Sequence, residues 1–303
     1  MIKFKQRLLK AIKDPLWLCG VFLRRISQMI NDDETFIKIE YFFGRKRLLN
    51  LKNPKRFNEK LQWLKLNCKK EEYTNLVDKC EVKKIVGKIL GEEYIIPTIG
   101  VWDKFDDIDF EKFPNQFVLK CTHDSGGLYI CKDKSVFDKS KAKKKIEKSL
   151  KKKYFYEHRE YPYKNVKPRI IAEKYMEDES GSQLKDYKIF CFNGEPKYIE
   201  VDYDRYTDHK LNVYDLDWNF VDFYMTSRND KNVIIPRPKT LDKMLEFARI
   251  LSKNDIFVRV DFYSINDNVY FGELTYHPGS GMIDFHPDCY DYILGDMLVL
   301  PNK

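Results

Sequence analysis

Apolar and polar positions alternate most clearly from Phe257 to Tyr263 and again from Val269 to Leu274. Asn266-Asp267-Asn268 lies between them as a turn-former cluster, so the pattern predicts a β-hairpin. With a period of two, Arg259 and Asp261 share one face, as do Glu273 and Thr275 on the returning strand. Elsewhere the period is helical. Phe36 to Leu66 reads as two helices broken at Asn50 to Pro54, and Asp78 starts a helix carrying Val82, Ile85, Val86 and Ile89. Pro236 to Leu251 puts Leu241, Met244, Leu245, Ala248 and Leu251 on one stripe. Extended runs appear at Phe117 to Lys120, Leu128 to Ile130, Arg169 to Met176 and Asp186 to Ile199, the last folded back at Asn193-Gly194. Met282 to Leu300 reads as a tail closing the fold with a short helix. Hairpins alternating with single helices predict an α+β fold rather than a doubly wound parallel sheet.

The chain has 303 residues, enough for two or three lobes, and its aromatic and charged content is that of a globular protein. The net charge of +8 suggests anionic partners. Nine lysines fall between Lys139 and Lys153. Without interleaved aromatics they read as a solvated helix face and not a nucleic-acid site. Seven cysteines with no C-x-x-C spacing read as reduced thiols in a cytoplasmic protein.

The basic N-terminal segment, residues 1–35, has an apolar core of nine residues from Pro15 to Leu23. That is too short to cross about 30 Å of hydrocarbon as a helix, and no cleavage site follows it. It reads either as an amphipathic helix lying on the inner face of a membrane or as a helix packed on its own domain.

The hairpin holds the main candidate chemistry. Asp261 and Glu273 on facing strands, with Arg259 beside them, suit a divalent metal carrying a polyphosphate; the competing reading is an exposed strand face with an Arg/Asp cross-pair. Thr122 to Gly127 is a Gly-rich turn between strands, unlike a Walker A loop. Its Ser125, Gly126 and Gly127 can close backbone N–H groups over phosphates, with Lys120 supplying a charge. Lys188 is either a phosphate ligand or an exposed strand lysine, and Lys79 by itself reads as a solvated surface lysine. Arg56, Lys60 and Trp63 form either an acceptor-holding face or part of a structural helix.

The run R-V-D-F, a turn, then Y-F-G-E-L-T-x-x-P-G resembles the C-terminal hairpin of the ATP-grasp enzymes, most closely the D-alanine–D-alanine ligases. The resemblance implies metal roles for Asp261 and Glu273 and a transition-state role for Arg259. Thr275 stands where the family has a metal-holding Asn. Asp78-Lys79 resembles the start of a phosphate-contacting helix, and Thr122 to Gly127 the flexible phosphate lid with Lys120 as its lysine. Glu173-Lys174-Tyr175-Met176 resembles the hinge that reads adenine, through Glu173 and the backbone of Lys174 and Met176; Glu177, Asp178 and Glu179 crowd the ribose position. Lys52 to Lys65 and Asp186-Tyr187-Lys188 resemble segments of the TupA-like branch, associated with teichuronopeptide and other surface-polysaccharide pathways.

The resemblance implies an ATP-grasp architecture in which two antiparallel-sheet lobes clamp ATP and Mg²⁺ behind a helical N-terminal region. The expected divisions are 36–112 (helical), 113–176 (lid) and 177–303 (metal hairpin). The expected activity is carboxylate–amine ligation through an acyl phosphate, attaching an amino acid or amine to an acidic sugar of a surface polysaccharide. A glycosyltransferase of the same pathway and a non-catalytic nucleotide-binding scaffold are the alternatives. Beyond the hairpin, His277, Gly279, Ser280 and Gly281 are the expected substrate-binding turn, with the backbone N–H groups cradling a carboxylate. His277 either takes the amine's proton or packs under the turn.

Overall fold

The computed structural model describes residues 14–178, 184–204, 208–225 and 227–301. Met1 to Lys13 of the basic segment, Glu179 and Arg205 therefore lie outside the described residues.

The chain opens with a helical hairpin. α1 (Pro15–Arg25) begins at Asp14, whose carboxylate caps the Trp17 N–H, and α2 (Asp33–Arg45) begins at Asp32, which caps Thr35. They run antiparallel: Lys46 at the end of α2 reaches Asp14 at 3.0 Å, and the Phe43 side chain lies against Gly20. α3 (Phe57–Asn67), α4 (Tyr73–Val77) and α5 (Glu81–Leu90) follow.

β1 (Thr98–Trp102), β2 (Phe117–Cys121), β3 (Leu128–Cys131) and β4 (Ile170–Lys174) form an antiparallel sheet in the order β1-β4-β2-β3. The expected helical division thus yields a strand, β1, to the smaller lobe. α6 (Lys139–Leu150) covers this sheet, with Ala142 and Ile146 buried among Phe117, Leu119 and Ile170. Its lysines are mostly solvent-facing or paired, as Lys143 is with Asp106 at 2.6 Å. The short α7 (Phe155–His158) leads back to β4.

The larger antiparallel sheet contains β5 (Asp186–Phe192), β6 (Glu195–Tyr203), β7 (Lys210–Tyr214), β8 (Phe220–Val221), β9 (Phe257–Ile265) and β10 (Asn268–Thr275), ordered β10-β9-β5-β6-β7-β8. Positive φ at Asn193 and Gly194, and at Asn266 and Asp267, makes both two-residue turns left-handed, matching the strand twist. One face packs Ile189, Val260 and Phe262 on Met244, Leu245 and Ala248 of α8 (Leu241–Ser252). The other face divides. At one end Phe190, Phe192 and Phe257 lie under Phe57, Leu61 and Leu64 of α3, with Leu294 of α9 (Cys289–Met297). Each such side chain stabilises the fold by about 1.5–3 kcal/mol. At the other end the face is polar and meets the smaller lobe.

The contacts around α3 decide between the two readings of its basic residues. Arg56 pairs with Asp288 at 2.8 Å, and Lys60 donates to the carbonyls of Gly295 and Leu298 at 2.7 and 2.8 Å. Trp63 is buried in the core. Arg56 and Lys60 thus fasten α9 to α3, while Trp63 packs in the core and also borders a cavity with Asp32, Asp33 and Lys52.

Candidate functional site

Register builds the larger lobe's half of the site. Lys188 on β5 is the cross-strand partner of Asp261 on β9, and Asp261 of Glu273 on β10, so three charged side chains lie in one row. The strands can keep this row because β10 bulges at Gly272, where an added Cβ would sit 2.9 Å from the Asp261 carbonyl oxygen. Asp186 and Tyr263 form the next row, and Arg259 and Thr275 the row on the other side.

Arg259 organises the acidic pair. Its Nε and Nη2 grip Asp261 at 2.7 and 2.5 Å, and Nη2 lies 3.2 Å from Thr275 Oγ1 and 3.5 Å from Glu273 Oε1. Asp261 is buried; burial lifts its pKa to about 7, Arg259 opposes this, and Glu273 adds to the rise. Glu273 is half exposed at the mouth of the cleft, with 49% of its side chain accessible. Burial in the cleft favours its acid form, but Lys79, Arg259, Lys120 and Lys188 outweigh that and hold its pKa below the usual value.

This donor set fits Mg²⁺. Two carboxylates from adjacent strands and the Thr275 hydroxyl are hard oxygen donors. Among the described residues no group of three or more His, Cys, Asp or Glu could hold a metal ion, so water and phosphate oxygens would complete the shell, as Mg²⁺ prefers.

The smaller lobe contributes lysines. Glu173 on β4 is buried between Lys120 of β2, whose Nζ lies at 2.6 Å, and Lys83 of α5, which contacts its other oxygen. Burial alone would raise the Glu173 pKa, but Lys120 and Lys83 pull it down to about 2. Burial lowers the Lys83 pKa despite this pairing, whereas for Lys120 the pull of Glu173 outweighs burial and raises it. The Glu173 side chain, expected from the sequence to read adenine, is thus held by both lysines and also lines a cavity beside Lys174 and Met176.

The Gly-rich turn is anchored from beneath. Lys79 Nζ donates to the Asp124 carbonyl at 2.6 Å, while the Asp124 carboxylate meets Ser149 and, at 3.3 Å, Lys152. Gly127 packs so tightly that a Cβ would lie 2.5 Å from both Asp124 and Ser149. Ser125 and Gly126 form the exposed tip, and Gly126 takes φ +98°, which only glycine adopts readily.

Two adjoining cavities lie between the lobes. One, of ≈ 160 Å³, has apolar walls from Ile96, Val118, Ile130 and Met176, with Lys174 at the hinge. The other, of ≈ 240 Å³, brings together Lys79, Lys83, Lys120, Ser125 to Gly127, Asp261 and Glu273. Lys120, Glu173 and Asp186 line both. Lys188, a candidate phosphate ligand, instead contacts Asp202 and donates to Glu200 at 2.9 Å. Its charge is matched within its own sheet, and these carboxylates outweigh burial in raising its pKa.

The turn from His277 to Gly281 follows the Arg259 row. Gly279, Ser280 and Gly281 all have positive φ, and α3 holds the turn from behind: Gln62 Nε2 donates to the carbonyls of Ser280 and Gly281 at 3.0 and 2.8 Å, and Lys65 Nζ to that of Ser280 at 2.8 Å. The Ser280 hydroxyl donates to Glu160 at 2.6 Å. His277 is buried, and burial with nearby Lys65 pushes its pKa well below the ordinary range. Its Nδ1 lies 3.9 Å from Glu160 Oε2.

Lys83, Asp186, Gln62, Lys65 and Glu160 were not singled out in the sequence. Two had a signal: Lys83 follows Lys79 by four residues in the stretch expected to be helical from Asp78, although α5 itself begins at Glu81, and Asp186 is two before Lys188 on one strand face. Gln62 and Lys65 shared a stripe with Asn58. Glu160 had no local pattern.

No curated protein matches the chain. Among solved structures it is similar to a D-alanine–D-alanine ligase from Bacillus anthracis, at 16% identity and TM-score 0.40 over 74% of this chain and 66% of that one. It is also similar to phosphoribosylamine–glycine ligase from Thermotoga maritima, at 14% identity and TM-score 0.40 over 69% and 51%. The chain thus spans less than two thirds of the length of these proteins. The sequence profile of the family described as TupA-like ATPgrasp matches residues 59–299, which run from the first turn of α3 through both lobes to the end of α9. With that match over most of its length, the chain belongs to the TupA-like ATP-grasp family.

Proposed function

We propose that the protein is an ATP- and Mg²⁺-dependent carboxylate–amine ligase that joins an amino acid or amine to an acidic sugar of a surface polysaccharide. The observation supporting the reaction class is that the lysines of one lobe and the carboxylates of the other face a single cavity. Membership of the ATP-grasp family supports it too. The apolar cavity takes adenine, with its edge read by the backbone from Lys174 to Met176. Lys79, Lys120 and the N–H groups of Ser125 to Gly127 hold the phosphates. Asp261 and Glu273, with Thr275, would hold Mg²⁺, which supplies charge neutralisation on the phosphates when bound. The Arg259 guanidinium lies in the row between these carboxylates and the 277–281 turn, where it meets the negative charge of the moving phosphoryl group.

A substrate carboxylate oxygen attacks the γ-phosphorus and ADP departs, leaving an acyl phosphate. An amine then attacks the acyl carbon, loses a proton and expels phosphate, so one hard step becomes two easier ones. The turn at Gly279, Ser280 and Gly281 orients the carboxylate at the far side of Arg259. The test is ADP release from ATP·Mg²⁺ with uronic acids paired with amino acids, with UDP-sugar turnover measured in parallel. Acid- and amine-dependent ADP release that Glu273→Gln abolishes is the expected result. UDP-sugar turnover without ATP consumption would replace this reading with a glycosyltransferase.

A further inference from the structure

α3 borders a further cavity, of ≈ 490 Å³, which shares no lining residue with the two between the lobes. Its volume falls within the range of about 300–1,000 Å³ usual for ligand sites. The first turn of α2 forms one wall. Trp63 and Asn67 of α3 form another, with Lys52 and Lys69 from the loops on either side of that helix. The acidic wall is already matched. Asp33 lies 2.9 Å from Nε of Arg159, whose Nη2 donates to the carbonyls of Ser27 and Ile30 at 2.6 and 2.8 Å. Glu34 pairs with Lys38 at 2.6 Å, and Asp32 caps the Thr35 N–H. Lys52 and Lys69 have no carboxylate partner among the described residues, so the unmatched charge in the cavity is positive. Trp63 adds a neutral donor. It is only 7% exposed, and among the described residues its indole N–H meets no acceptor, although it is not sealed from solvent. A buried indole N–H ordinarily finds a partner. Asn67 gives its amide nitrogen to the Trp63 carbonyl at 2.8 Å, which leaves its own carbonyl oxygen as an acceptor.

Neutral donors and acceptors interleaved with two unmatched cations suit a ring of hydroxyls that also carries a carboxylate. A bare phosphate ion would leave the Trp63 and Asn67 groups unused. We propose that this cavity binds a segment of an acidic oligosaccharide. Its carboxylates pair with Lys52 and Lys69, a hydroxyl oxygen accepts from the Trp63 N–H, and hydroxyl hydrogens go to Asn67 and Asp33. The role of the site rests on the ligase reading: it gives a polymeric acceptor a second hold, apart from the residue that reacts at Gly279, Ser280 and Gly281. α3 serves both places, since Gln62 and Lys65 hold that turn while Trp63 and Asn67 line the cavity.

Hexagalacturonic acid is titrated calorimetrically into the full chain without ATP, with maltohexaose as the neutral counterpart. Binding of the acid alone, weakened by added salt, is expected. Lys52→Gln with Lys69→Gln should weaken it by about tenfold or more. Melting should stay unchanged in this variant, because both side chains are exposed. Trp63→Phe keeps a ring in the core but deletes the N–H, and should weaken binding by about threefold to tenfold. ADP release is then compared for galacturonic acid and for the hexamer. Replacing the two lysines should raise KM for the hexamer and leave that for the monosaccharide unchanged. Absence of hexamer binding overturns the proposal, as does binding that the lysine replacements leave undiminished or that maltohexaose equals. Hexamer binding that depends on Lys52 and Lys69, in a protein that releases no ADP with any acid and amine, would overturn the ligase reading and keep the site.

Discussion

Glu173 on β4 accepts Lys120 Nζ at 2.6 Å while the same buried carboxylate holds Lys83 of α5. One anion thus sets the position of two cations on the wall of the cavity that Asp261 and Glu273 line from the other lobe. Its pKa is depressed from 4.5 to about 2. A depressed carboxylate contributes stability above its unfolded value, and that contribution is lost as pH falls through the folded value. Unfolding midpoints followed between these two pKa values should therefore fall with pH in the native protein. In Glu173→Gln that acid limb should be flatter. An unchanged slope would show that the two lysines do not stabilise the ionised form.

Lys83→Met should separate structure from binding. Glu173 keeps Lys120 in this variant, so the cost should be about 1–3 kcal/mol, below that of leaving a buried charge with no partner. Lys120 should then be drawn further toward Glu173. We expect weaker ATP binding by calorimetry with the fold retained by circular dichroism.

Glu273→Gln should behave in the opposite way. The side chain is half exposed, so melting should move little. ADP formation should fall by about a hundredfold or more, the scale of losing one electrostatic contact made to the transition state. Near-normal turnover would remove Glu273 from the mechanism.

Gly272→Ala probes the bulge. The new methyl would press on the Asp261 carbonyl oxygen at 2.9 Å, which belongs to backbone that cannot swing away. A loss of about 1–3 kcal/mol is expected, with a larger proportional loss of turnover, because the Asp261/Glu273 register depends on this bulge.

Much of this site was readable from alternation. The period of two correctly placed Arg259 with Asp261 and Glu273 with Thr275, and the turn at Asn266-Asp267 followed from residue types that tolerate positive φ. Pairing across the molecule was not readable in this way. Nothing local to Glu173 shows that a helix some ninety residues earlier delivers Lys83, nor does anything near Lys188 announce Glu200 and Asp202 as its partners. β1 was hidden for a similar reason: five residues with partial burial on every position but one carry no strong period, and only β4 makes them a strand.

Gln62→Ala tests the substrate turn. It removes the donor to the Ser280 and Gly281 carbonyls while Lys65 still holds Ser280. A modest stability loss of about 1–2 kcal/mol is expected, together with a raised KM for the carboxylate substrate and an unchanged KM for ATP. Equal shifts in both would place the carboxylate elsewhere.

The fastening of α9 to α3 has a consequence for how the chain folds as it is made. The phenylalanines Phe190, Phe192 and Phe257 are covered by α3, and α3 is locked in place by α9, which is synthesised about two hundred residues later, with Gly295 so close to the Lys55 carbonyl that a Cβ would lie 2.1 Å away. Such contacts between distant parts of the chain form slowly and late. The larger lobe can therefore complete its apolar floor only after Met297 has left the ribosome. Until then the inner face of α3 is the surface that chaperones, or aggregation, will find first.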